Sequence, residues 1–77
     1  MLYRLNLIVN GTTIEDEVGV ELPDLEAACF HAVADVRYII AAEARNGREP
    51  PDWSIEIVDS VGTYLATVEF VDVATLH

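Results

Sequence analysis

The chain has 77 residues and carries 14 Asp and Glu against 4 Arg and no Lys, a net charge of -10. A single small domain follows: it exposes roughly 4,600 Å² folded against about 12,000 Å² extended, so only about 60% of its surface is buried. At 52% hydrophobic residues it is too apolar for a charge-expanded disordered segment, and four scattered Arg cannot replace the counterions of a nucleic acid or an anionic membrane.

The first segment, Tyr3 to Val9, alternates Tyr3, Leu5, Leu7 and Val9 with Arg4 and Asn6, Ile8 being the apolar exception. Period two predicts a strand with one buried face. Asn10-Gly11 suits the positive φ values of a type I′ turn and predicts a hairpin. The returning strand from Thr12 runs into Glu15-Asp16-Glu17, read as charge that protects a sheet edge. Gly19 and Val20-Glu21-Leu22-Pro23 lead out, placing the first hairpin at about residues 2–18.

Asp24 is a good N-cap, and Gly47 with Pro50-Pro51 stops the helix that follows. The helix is expected over about residues 25–46, with Glu26 near its positive end and Arg45 near its negative end. At about 100° per residue, Leu25, Ala28, Cys29, Ala32, Val33, Val36, Ile39 and Ile40 share one arc that should lie on a sheet.

The opposite arc is unusual. It holds Ala27, Phe30, Ala34, Tyr38 and Ala41, with His31, Arg37 and Arg45 beside them. A single helix on a single sheet leaves this ridge in water, and an apolar patch of that kind marks an association surface. The expected interface is therefore Ala27, Phe30, Ala34, Arg37, Tyr38 and Ala41, used twice about a two-fold axis in a homo-oligomer or offered to a protein partner.

Beyond the helix, Trp53, Ile55 and Ile57 alternate with polar residues. Asp59-Ser60-Val61-Gly62 reads as a turn, and Tyr64 to Phe70 reads as a last strand. The second hairpin is expected at about 53–71 and a tail at 72–77. The order is ββαββ, an α+β fold with a four-stranded, mainly antiparallel sheet and one helix across one face. Asp16-Glu17-Val18-Gly19 and Asp59-Ser60-Val61-Gly62 repeat an Asp-x-Val-Gly pattern.

The inventory of reactive groups predicts no enzyme, cofactor or metal. Cys29 and His31 point about 160° apart on a helix and cannot form a nucleophile–base pair. His31 and His77 have no metal-ligand spacing, Ser54 and Ser60 lack a nucleophile-elbow context, and no phosphate-binding glycine pattern exists. The lone Cys29 fits a reducing cytoplasm, and no apolar run approaches a membrane span. The alternative to self-association is an acidic mimic or inhibitor that docks on a basic protein surface.

The stretch Asp16-Glu17-Val18-Gly19-Val20-Glu21-Leu22-Pro23-Asp24-Leu25 resembles a family of small bacterial domains of unknown function. The aromatic first strand ending at Asn10-Gly11, the Ala-rich helix, Ile55-Glu56-Ile57, Asp59 to Gly62 and Val68-Glu69-Phe70 extend that resemblance over nearly the whole chain. It implies a ββαββ fold in a bacterial cytoplasmic protein and no particular activity. Cys29-Phe30-His31 departs from the family's more polar pattern there, which makes the Phe30 surface particular to this chain.

Overall fold

A computed structural model describes residues 1–75. The elements are β1 (Leu2–Val9), β2 (Thr12–Ile14), β3 (Val20–Glu21), α1 (Leu25–Arg45), β4 (Ser54–Asp59), β5 (Tyr64–Glu69) and α2 (Phe70–Ala74). The sheet is antiparallel in the order β2-β1-β4-β5, with β3 also pairing β1. The expected α+β architecture is present, with α1 packed against the sheet.

The first hairpin closes as its turn chemistry requires. Asn10 and Gly11 have φ of 51° and 81°, both positive as in a type I′ turn, and Leu7, Ile8 and Val9 pair with Ile14, Thr13 and Thr12. The returning strand is shorter than expected. It stops at Ile14, and Glu15-Asp16-Glu17 lies off the strand, so these carboxylates do not line an edge ladder. The chain instead makes an excursion over residues 15–19 and rejoins β1 as the two-residue strand β3, where Leu2 and Tyr3 pair with Glu21 and Val20.

The excursion is held by Asp16. Its Oδ2 accepts the Leu5 N–H at 3.2 Å, and its Oδ1 accepts the N–H groups of Val18 and Gly19 at 3.3 and 3.0 Å. Its own N–H donates to Oδ1 of the buried Asn6 at 2.9 Å, and Arg4 donates to the carbonyls of Asp16 and Glu17. The Leu5 N–H, which a continuous edge strand would have satisfied, is thus paired by a side chain.

Helix α1 starts where Asp24 accepts the Ala27 N–H at 2.8 Å and ends at Asn46, followed by Gly47 at φ 75°. At about 1.5 Å per residue it spans most of the 37 Å long dimension of the molecule. Its fully buried stripe is Ala28, Ala32 and Val36, small residues at i, i+4 and i+8 that let the helix sit close to the sheet. Leu25, expected in this stripe, is instead 36% exposed and lies outside the core cluster, which on the helix begins at Ala28. The core joins the stripe to Tyr3, Ile55, Ile57, Phe70 and Val73.

The second hairpin departs from the expected alternation. Ile57 pairs with Ala66 but Val58 pairs with Tyr64, so Leu65 is an extra residue in β5, a β-bulge that shifts the phase of the strand. Tyr64 is consequently exposed. The strand ends at Glu69 rather than near residue 71, and Phe70 opens the short helix α2. The N–H of Phe70 still donates to the Trp53 carbonyl at 3.0 Å, and its ring meets Trp53 edge-on with centroids 5.8 Å apart. Part of the expected tail is therefore core: Val73 is buried in the same cluster as Phe70. Residues 76 and 77, which include His77, lie outside the described residues.

Candidate functional site

The face of α1 turned away from the sheet is built by the 3.6-residue period. With about 100° per residue, Ala27, Phe30, His31, Ala34, Arg37, Tyr38, Ala41 and Arg45 fall within about 60° of the direction of Ala34. Of the expected interface residues, Phe30, Ala34, Arg37, Tyr38 and Ala41 are exposed and Ala27 is half-buried. Phe30 is 70% and Tyr38 71% exposed, so the two largest side chains of the face are left mostly uncovered by the described residues. All six lie on one side of one helix.

The charge of this face is the reverse of the molecule's. None of the 14 carboxylates is among its eight positions, and Glu26 and Asp35 only border it. Among the described residues, Arg48 pairs with Glu43, and His31 pairs with Asp35 at 3.4 Å. Arg37 and Arg45 form no ion pair there. A shallow apolar groove runs beside the ridge, lined by Glu26, Cys29, Phe30, Val33, Ala34 and Arg37. The His31–Asp35 contact was not anticipated from the sequence, although its i, i+4 spacing is the signal that would have indicated it.

The remaining reactive groups are dispersed. Cys29 is half-buried and packs against the core. Among the described residues no group of three His, Cys, Asp or Glu side chains converges as a metal site, and no helix is long and apolar enough to cross a membrane. Asp16 is the group whose ionisation the fold visibly alters. Partial burial opposes its charge, but the N–H groups of Gly19, Leu5 and Val18 and the nearby Arg4 outweigh that cost. Its carboxyl is held below the ordinary carboxylate range. The role is architectural, since every polar contact of this carboxylate is to the chain's own backbone.

Comparison with known proteins agrees with the expected resemblance. No curated protein and no solved structure matches the chain. Residues 2–71 match a family described as a domain of unknown function (DUF6894). That match takes in β1 through β5, the whole of α1 and the opening of α2, and the chain belongs to this family.

Proposed function

We propose that this domain is a protein-interaction module that self-associates through the outer face of α1. The observation that carries the reading is the charge-reversed, aromatic face: in a chain of net charge -10, it has exposed Phe30 and Tyr38, no carboxylate, and two Arg that form no ion pair among the described residues. An antiparallel pair about a two-fold axis beside Ala34 uses this patch twice. Ala34 then meets its own copy, and the Ala positions permit close approach.

The same symmetry sets the flanking contacts. On one flank Phe30 lies against the partner's Arg37, a cation–π arrangement. On the other flank Tyr38 lies against the partner's His31. The reading places the domain in the cytoplasm, where the single Cys29 stays a thiol.

Sedimentation velocity over a wide concentration range tests it. The expected result is a reversible dimer, with Phe30→Asp monomeric at all concentrations and unchanged in circular dichroism. A wild-type protein that is monomeric throughout would overturn the reading.

A further inference from the structure

Helix α1 packs chiefly over β4 and β5 and leaves the β1–β2 side of the same sheet face less covered. The result is a second groove, on the opposite flank of α1 from the Phe30 groove. Its floor is Leu5, Leu7 and Val20, all half-buried, with Ile14 54% exposed at the mouth. Its walls carry Glu15 and Asp16 on the sheet side and His31 and Asp35 on the helix side. None of its lining residues is Lys or Arg.

We propose that this groove binds an amphipathic basic segment of another protein, with apolar side chains on the Leu5–Leu7–Ile14 floor and Lys or Arg beside Glu15 and Asp35. An apolar centre flanked by charge of one sign is the anatomy of a helix-in-groove site. The side-chain chemistry of the partner follows from complementarity. Carboxylates stand on both walls, so cations on either side of an apolar stripe are favoured and anions are repelled. A second copy offers only Arg37 and Arg45 on one face of a chain of net charge -10, so a foreign segment richer in Lys and Arg fits better. The groove shares only His31 with the self-association face, since its floor residues and Glu15 lie on the sheet and its edge connection.

Fluorescence anisotropy with a labelled synthetic helix tests it, the probe having Leu at i and i+4 between flanking Lys and Arg. A charge-reversed twin with Glu in place of the cations is the control. Binding of the basic probe is expected, and it should weaken about tenfold or more from low salt to about 0.5 M salt, as screening removes the charge term. The twin should not bind. Ile14→Asp should abolish binding. The double variant Glu15→Gln with Asp35→Asn, two surface changes that spare the core, should weaken it about fivefold or more. Phe30→Asp should bind the probe as the wild type does, which separates this site from the self-association face. Absence of binding, equal binding of both probes, or binding indifferent to the groove variants would overturn the proposal. So would a change of oligomeric state in Ile14→Asp, which would make a second copy the occupant.

Discussion

The Asp16 carboxylate accepts the Leu5 N–H at 3.2 Å across the interval between β2 and β3. One side chain thereby occupies the place that a strand backbone would take beside β1. The same carboxylate closes its own turn through Val18 and Gly19, so it binds the excursion to the sheet and shapes it at once.

Replacing Asp16 with Ala is expected to destabilise the domain by about 2–4 kcal/mol, since bonds to a charged group contribute about 1.5–3 kcal/mol each and water replaces part of them. Urea unfolding monitored by Trp53 fluorescence measures this.

The pH dependence has a definite sign. A carboxyl whose folded pKa is depressed contributes stability that is fully present above its unfolded value of about 4 and is lost as pH falls through the lower folded value. The stability difference between wild type and Asp16→Asn should therefore be constant above about pH 5 and shrink steadily toward pH 2. A difference independent of pH would show that Asp16 acts without its charge.

Gly19 has φ of 76°, and a Cβ there would lie 2.9 Å from Leu2 Cδ1 and 3.0 Å from the Tyr3 carbonyl oxygen. Gly19→Ala adds this crowding to the left-handed strain of about 1–2 kcal/mol. Gly62→Ala, with φ of 87° and open space around the position, carries the strain alone. Chemical denaturation should rank Gly19→Ala as the more damaging by at least about 1 kcal/mol.

Phe70→Ala removes a fully buried ring from contact with Trp53 and is expected to cost about 3–5 kcal/mol. A small domain has about 5–15 kcal/mol in total, so the variant should be close to unfolding at room temperature. Its neighbour Val71, 54% exposed, should tolerate Ala within about 0.5 kcal/mol. Thermal melts of the two variants provide the comparison.

Salt distinguishes the two proposed contacts. The helix pair joins two chains of charge -10, so screening relieves repulsion while the apolar contact persists. Its dissociation constant should stay level or fall between low salt and about 0.5 M salt. Peptide binding at the Leu5–Ile14 groove should move in the opposite direction.

Much of the fold was legible in the residues. Asn10-Gly11 marked the first turn, Asp24 and Gly47 bounded the long helix, and the apolar period divided it into an inner and an outer face. The Asp-x-Val-Gly repetition was also informative. At both places the Asp Oδ1 accepts the N–H of the Val two residues on, and the Gly has positive φ. What escaped was non-local. Nothing near Asp16 in the sequence announces its bond to Leu5. The extra Leu65 leaves the run Tyr64 to Phe70 looking like an uninterrupted strand, although Tyr64 faces water and Phe70 turns into a helix. The outer helix face could be read because periodicity alone defines it. The groove on the other flank depends on where the helix lies across the sheet.

The break in the strand beside β1 limits edge-to-edge pairing of the sheet with other chains. The pieces that flank the excursion are three and two residues long, too short to template an added strand, and the segment between them is not extended as a strand. Growth of a cross-β stack needs an unbroken row of main-chain donors and acceptors. On this margin the row is cut in the middle, so the protection of this edge rests on interruption of the backbone and would persist at an acidity that neutralises the exposed carboxylates, as long as the excursion itself stays folded.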